Sequence, residues 1–114
     1  MAHDEYLADR IGQALNEEGV QFNTLKMMGG LGFMVNDKFC LGIFKGGIMA
    51  RVDPENIEIL VARPFCNIME SGKRKMKNYI YVHPEGYDLD EDLLFWVREC
   101  LKFNPKAKSS KKKK

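Results

Sequence analysis

The feature that most constrains the fold is a series of short apolar runs separated by tight-turn signals in the middle of the chain. The run at residues 31–35 is followed by Asn36-Asp37, and both of these residue types tolerate the positive φ of a tight hairpin turn. The run at residues 39–44 is followed by a glycine-containing turn at 45–47 and by a third run at 48–52. Connections this short join antiparallel strands, so the sequence predicts a meander of strands.

A helix is predicted before this meander, over residues 4–18. Leu7, Ile11 and Leu15 recur every four residues on one stripe, and Gly19 is well placed to end the helix in the left-handed conformation. Residues 21–28 are a weaker strand candidate, because polar residues interrupt their apolar pattern.

Two further helices are predicted after the meander. Asp53-Pro54-Glu55 combines a capping residue, a proline suited to the first helical position and an acid at the positive end of the helix dipole. Pro64 would end this short helix. Residues 89–103 carry a second apolar stripe, beginning at Leu89, and we expect Asp88 or Asp90 to cap that helix.

Strands are expected between these two helices, at residues 68–70 and 75–82, and the second of these alternates well between its two faces. The predicted order is therefore α-β(3)-α-β(2)-α, an α+β fold with helices packed on an antiparallel sheet. At 114 residues the chain fits one domain.

The charge is unevenly spread along the chain. Residues 106–114 hold six lysines and no acid, whereas the remainder has 12 basic and 16 acidic side chains. We predict a single domain over residues 1–105 and a disordered lysine-rich tail over 106–114. Such a tail binds nucleic acid without sequence preference, whereas the net negative charge of residues 1–105 argues against nucleic-acid binding by the whole domain.

The cysteines and histidines favour neither disulfides nor a metal site. Cys40, Cys66 and Cys100 are odd in number and far apart, and His3 and His83 cannot complete a recognisable ligand spacing. The polar N-terminus does not resemble a signal peptide, and no apolar run has the length of a membrane span. The sequence therefore predicts a cytoplasmic protein with no membrane partner, no metal and no cofactor.

The glycine-rich segment at residues 27–34, MMGGLGFM, could hold a ligand. A phosphate loop would need a third spaced glycine and a following helix, but a strand pattern follows. The GLGF tetrapeptide matches the carboxylate-binding loop of PDZ domains, although the chain starts with a helix and lacks the other PDZ signals. The favoured interpretation is that the glycines allow close approach of neighbouring strands.

Four segments resemble one family. Residues 26–36, KMMGGLGFMVN, are similar to the KMFGGLxFMxNG opening of the TfoX (Sxy) N-terminal domain family. Residues 48–52, IMARV, are similar to its LMVRV strand, and residues 74–82, RKMKNYIYV, to its RPMKGWVYV segment. Residues 94–103 resemble its final helix, LxxWVxxALxF. The resemblance covers roughly residues 4–104 and marks a stand-alone, single-domain member.

This resemblance implies a fold shared with small secretion-chaperone-like domains, which often dimerise. It also implies a regulatory role, because TfoX proteins regulate natural competence together with a transcription activator. No enzymatic activity is carried over. The chain offers no catalytic constellation either, since the acids of Asp90-Glu91-Asp92 suit the first turn of a helix.

A cationic cluster is the main candidate binding site. If strand residues Arg51 and Lys77 project from one face of the sheet, they and Lys26 could bind an anion or an acidic partner beside Gly29 and Gly30. The alternative is that these are exposed strand charges that discourage edge pairing.

Aromatic and basic residues near the last strand are further candidates. Tyr79 and Tyr81 would suit a protein interface, unless helices cover that side of the sheet. The basic loop with Lys73, Arg74 and Lys75, together with these tyrosines, would suit single-stranded nucleic acid. The sequence thus favours a non-enzymatic regulatory domain that binds a protein partner or a second copy, with a nucleic-acid accessory protein as the alternative.

Overall fold

The first helix forms because its apolar residues recur on one stripe. In the computed structural model α1 spans Glu5–Glu17 and buries Leu7, Ile11 and Leu15, and Gly19 follows it with a φ of 75°. Both features confirm the prediction. The structure describes residues 5–27, 30–71 and 74–107, and at residues 71 and 74–77 it describes the backbone alone.

Six antiparallel strands form a single sheet. They are β1 (Asn23–Met27), β2 (Gly30–Val35), β3 (Lys38–Phe44), β4 (Gly47–Arg51), β5 (Cys66–Ser71) and β6 (Arg74–Val82). Their order across the sheet is β1-β2-β3-β4-β6-β5, and each neighbouring pair is antiparallel. The α+β class is confirmed, but four strands rather than three precede the second helix.

The additional strand is β1, which lies at one edge of the sheet. Asn23, Thr24, Leu25 and Lys26 are all exposed. A strand that is not covered on either face lacks the alternation of apolar and polar residues that marks a half-buried strand. This exposure explains why the sequence pattern of residues 21–28 is weak.

Two tight turns fix the register of the central strands. Asn36 and Asp37 have φ values of 56° and 63°, and Lys45 and Gly46 have φ values of 50° and 79°. Two consecutive residues with positive φ match the right-handed twist of paired strands, as in type I′ hairpins. Both predicted turns are therefore confirmed.

An irregularity in β3 changes which of its side chains face the helices. Phe33 pairs with Leu41 whereas the next residue, Met34, pairs with Phe39, so Cys40 is an extra residue on β3. Such a β-bulge places two successive residues opposite one. Cys40 and Leu41 are both buried in the core, and Phe39 lies on the other side of the sheet.

The second helix begins as the sequence predicts. The Asp53 side chain accepts a hydrogen bond from the Glu55 amide at 2.9 Å, and Pro54 opens a 3₁₀ turn. This turn leads directly into α2, which spans Ile57–Val61 and ends before Pro64.

The start of the last helix differs from the prediction. Helix α3 spans Asp90–Phe103, its N-cap residue is Leu89, and neither Asp88 nor Asp90 caps it through a side-chain hydrogen bond. Leu89 is 59% exposed and does not belong to the buried stripe. Three acids in the first turn complement the helix dipole without a cap, and the Asp90 carboxylate instead pairs with Arg10 of α1 at 3.0 Å.

All three helices pack on the same face of the sheet. One core cluster joins the buried stripes of α1, α2 and α3 to side chains from β2, β3, β4 and β6, including Phe33, Leu41, Ile48, Ile80 and Val82. The opposite face contributes no residue to this cluster. Within the described residues, no helix has both the length and the apolar character of a membrane span.

The C-terminal end of α3 is fixed by one buried polar side chain. Asn104 is 3% exposed, and its Nδ2 donates to the carbonyl of Val35 at 3.1 Å while its Oδ1 accepts from Asn36 Nδ2 at 2.9 Å. Beyond it, Lys106 Nζ lies 3.4 Å from Asp53 Oδ2, and Ala107 is buried. The first two residues of the predicted tail thus lie against the fold.

We expect Asn104→Ala to lower the free energy of unfolding by about 1–3 kcal/mol, because the Val35 carbonyl would stay buried without its donor. Urea denaturation followed by circular dichroism measures this change. Asn16→Ala, at an exposed position of α1, is the matched control and should alter stability by less than about 0.5 kcal/mol. Equal effects of the two substitutions would show that Asn104 does not fix this end of the helix.

Candidate functional site

The candidate site is the face of the sheet opposite the helices, which we call the open face. Residues directly opposite each other on paired strands point to the same face of a sheet. Gly42 pairs with Met49 and Met49 with Tyr81 on the open face, whereas the pairs before and after them along the strands belong to the core. None of its assigned positions on β1 to β4 and β6 is acidic. They are Asn23, Leu25, Met27, Gly30, Gly32, Met34, Phe39, Gly42, Phe44, Gly47, Met49, Arg51, Tyr79 and Tyr81.

Phe39 lies across two glycines at the centre of the open face. A methyl group added to Gly32 would come within 3.2 Å of the Phe39 ring, and one added to Gly42 within 3.1 Å. The ring is only 6% exposed although no helix covers it, because these glycines let it lie down on the backbone. This packing buries apolar surface.

Tyr81 repeats this arrangement at the end of the sheet next to the β3–β4 turn. A methyl added to Gly47 would lie 2.6 Å from the Tyr81 ring. The Tyr81 hydroxyl donates to the carbonyl of Lys45 at 2.6 Å, and burial raises the pKa of this phenol. Tyr81 is therefore held in one orientation, with part of its ring exposed.

Arg51 lies at the opposite end of β4, next to Tyr79. Its Nη1 donates to the carbonyl of Phe39 at 3.3 Å, and its guanidinium carbon lies 5.9 Å from the centre of the Tyr79 ring. The Tyr79 ring is in turn 6.1 Å from that of Phe39. Arg51 is the one cation at the assigned positions, and these contacts hold it beside the aromatic residues Phe39 and Tyr79.

The structure does not bring Lys26 and Arg51 together. Lys26 pairs with Leu31, which is a core residue, so Lys26 projects on the side of the sheet that carries the helices. Arg51 pairs with Tyr79 on the open face, and three strand spacings separate β1 from β4. At about 4.8 Å per spacing the two strands lie about 14 Å apart.

Other parts of the predicted cationic cluster lie outside the described residues. This holds for Gly29 and Lys73 altogether, and for the side chains of Arg74, Lys75 and Lys77. The backbone of β6 includes residues 74–77 next to β5. Whether Lys77 joins Arg51 in binding an anion stays a prediction.

Gly30 is a position of close strand approach. A methyl group there would overlap the carbonyl oxygen of Ile43 on the neighbouring strand. Gly30 lies at the start of β2, near Phe44, whereas Arg51 lies at the far end of β4. The favoured structural interpretation of the glycine segment therefore fits at Gly30, and at Gly32 the large side chains of Met27 and Phe39 fill the space that the glycine leaves.

The cysteines and His83, which are not part of the open face, lie in surroundings that suit a structural role. Burial raises the pKa of the Cys100 thiol well above its usual value, and the neighbouring Cys40 thiol raises it further, so Cys100 is a poor nucleophile. His83 is exposed, with Nε2 2.9 Å from Asn67 Oδ1. Among the described residues, no group of three or more His, Cys, Asp or Glu side chains could hold a metal.

Phe39, at the centre of the open face, was not among the binding residues predicted from the sequence. The signal for it is indirect, because a bulky side chain matches glycines beneath it, as Phe39 does with Gly32 on β2 and with Gly42 on its own strand. Recognising this match requires knowledge of the strand register and of the bulge at Cys40. The apolar pattern of one strand shows neither of them.

Comparison with known proteins identifies one family. A family model described as the TfoX N-terminal domain matches residues 17–104. The match extends from the end of α1 to the residue that follows α3, and so includes the whole sheet. Comparisons with curated proteins and with solved structures give no significant match.

We expect Gly30→Ala to destabilise the fold by about 1–3 kcal/mol or more, because the added methyl overlaps backbone rather than a mobile side chain. Thermal and urea unfolding measure the loss. Gly12→Ala in α1 is the matched control, since its methyl meets only the tip of the Phe22 ring and alanine favours the helix by about 1 kcal/mol. A Gly30→Ala protein as stable as the control would contradict the close-approach interpretation.

Proposed function

The chain belongs to the TfoX N-terminal domain family, and from this premise we propose that it is a non-enzymatic regulatory domain that binds a protein partner through the open face. The family is a regulatory domain of the competence-regulator kind and is not a known enzyme family. The observation that carries the proposal is the composition of the open face, which is apolar, aromatic and without acids at its assigned positions.

The residue types on the open face favour a protein partner. Its methionines, phenylalanines and tyrosines, with Arg51, are residue types enriched in protein interfaces, whereas Lys, Glu and Asp are depleted there. Tyr79 and Tyr81 are partly exposed, so each offers ring surface to a partner. A flat partner surface with an apolar centre would fit this face.

The packing of the open face lowers the cost of binding. Phe39 and Met49 are each 6% exposed, and Tyr81 is held by its hydrogen bond to Lys45, so these side chains lose little freedom when a partner covers them. Immobilising a mobile side chain costs about 0.5–1.5 kcal/mol, a cost that preorganised residues avoid.

The proposal sets the domain in the cytoplasm. Its support is that Cys40, Cys66 and Cys100 are all free thiols, which is usual in a reducing compartment. Burial raises the pKa of the Cys66 thiol as it does that of Cys100, so neither of these two thiols is activated.

A photo-crosslinking amino acid at Met34 or Tyr79 should trap a protein partner in living cells, because both positions are partly exposed on the open face. The matched control is the same amino acid at Ile59, which is 73% exposed on α2 in the helix layer. We expect protease-sensitive adducts from the open-face positions at several times the yield from Ile59. Equal yields, or adducts that only nuclease removes, would reject this function.

The alternative function is that of a nucleic-acid accessory protein, and the open face gives it one supporting observation. Aromatic rings beside an arginine, on a sheet face with no acid at its assigned positions, can stack bases as well as protein side chains. The lysine-rich residues 108–114 would add affinity for phosphates.

A titration of a fluorescent single-stranded oligonucleotide tests this alternative. Ending the chain after Ala107 removes five lysines but keeps the packed residues Lys106 and Ala107. The accessory role predicts binding that falls at least tenfold between about 50 and 200 mM salt and weakens further in the shortened chain. Absence of binding at the lower salt concentration would reject the role, and equal binding by both chains would exclude the lysines as its cause.

A further inference from the structure

The two edges of the sheet differ in how well they are protected against pairing with another strand. At β5 the register shifts between Ile68 and Glu70, and Glu70 adds an exposed charge. Bulges and charges of this kind disfavour the addition of a strand. At β1 all five residues pair with β2 in one unbroken register. The β1 edge is therefore the one suited to further pairing.

Strand β1 also has backbone groups directed away from the sheet. In an antiparallel pair, alternate residues direct their N–H and C=O groups to the neighbouring strand, and the others direct them outward. Among the described strands β1 pairs only with β2, and Asn23 to Lys26 are exposed. Leu25, at the centre of the strand, is 51% exposed.

We propose that two copies of this chain associate through β1, antiparallel and centred on Leu25. In this register Leu25 lies opposite Leu25 of the second copy, Thr24 opposite Lys26, and Asn23 opposite Met27. It is the register that pairs all five residues of the strand. The two exposed leucines cover each other, and the outward backbone groups of both strands gain partners.

Lys26 selects this register rather than preventing it. A lysine on an edge strand opposes pairing when it faces another positive charge. Centred on Leu25, each Lys26 faces the neutral Thr24 of the other copy, whereas a slide of two residues that centres the pair on Lys26 places the two lysines opposite each other. The exposed charge of Lys26 thus restricts how the two strands can align.

The symmetry of this pairing brings the two open faces together. The two-fold axis of an antiparallel pair within one sheet runs perpendicular to that sheet, so both copies turn their open faces to the same side. The result is a continuous sheet of twelve strands, twice the six of one copy. This inference does not depend on the proposed function, but it would double the surface offered to a partner.

The size of the contact sets the expected affinity. A pair of five-residue strands buries less than the roughly 1,200–2,000 Å² of a stable interface. We therefore expect a reversible dimer with a Kd between about 1 μM and 1 mM. Sedimentation equilibrium of the full chain over this concentration range measures it.

Charge exchange at Leu25 tests the register. Leu25→Glu alone or Leu25→Lys alone would place like charges directly opposite each other, and each should raise the Kd at least tenfold. An equimolar mixture of the two variants should restore association to within a few-fold of the original chain, because each glutamate then faces a lysine. Leu25 is half exposed, so both variants should fold, and circular dichroism checks this.

Ile59→Glu is the matched control, since it adds the same charge at an exposed position on α2 and should leave the Kd unchanged. A chain that stays monomeric at about 1 mM overturns the proposal. So does a dimer that persists in Leu25→Glu, or one that the mixture of variants does not restore. Crosslinking from Met34 to a partner is a separate measurement, so the absence of this dimer would leave the proposed function standing.

Discussion

The one-sided burial of the sheet is the constraint on which the rest of the structure depends. The apolar stripes of α1 and α3, together with α2, bury the side chains of one face in a single core, and this burial is the main source of stability. The other face must then be stable without a covering layer. A polar surface would be the usual solution for an antiparallel sheet. This chain instead covers the face with its own aromatic side chains.

Covering a sheet face in this way requires glycine beneath each ring, on the same strand or on a neighbouring one. Phe39 lies on Gly32 and Gly42, and Tyr81 lies on Gly47. Each glycine costs roughly 0.5–1 kcal/mol of backbone entropy in a strand, and burial of the ring offsets that loss. The arrangement holds these rings in place on the backbone. Side chains that are already ordered would lower the cost of binding a partner.

How much of this could be predicted from the sequence depends on whether a feature is local. The stripe of α1, the turns at Asn36-Asp37 and Lys45-Gly46, and the capped start at Asp53 are written in adjacent residues, and all were predicted. Strand β1 was harder to recognise because an uncovered edge strand has no apolar alternation. The cap of α3 was wrong because the Asp90 carboxylate pairs with Arg10, a residue 80 positions away.

The candidate site was less predictable for the same reason. Whether Lys26 and Arg51 share a face depends on the register across four strands, and the bulge at Cys40 shifts part of that register. Residue type alone made both of them candidates, but only the pairing places them on opposite faces. Phe39 was missed because its partners are glycines, which carry no apolar signal of their own.

The end of the described chain lies against one end of the sheet, on the side that carries the helices. Lys38 Nζ contacts the carbonyl of Asn104 at 3.1 Å, and Lys106 pairs with Asp53, two residues after Arg51. Residues 104–107 therefore lie beside the end of the sheet at which Arg51 contacts Phe39 and Tyr79. Residues 108–114, which follow in the sequence, hold five lysines. An acidic partner on the open face would thus gain most by placing its acids over the Arg51 end and its apolar surface over Phe39.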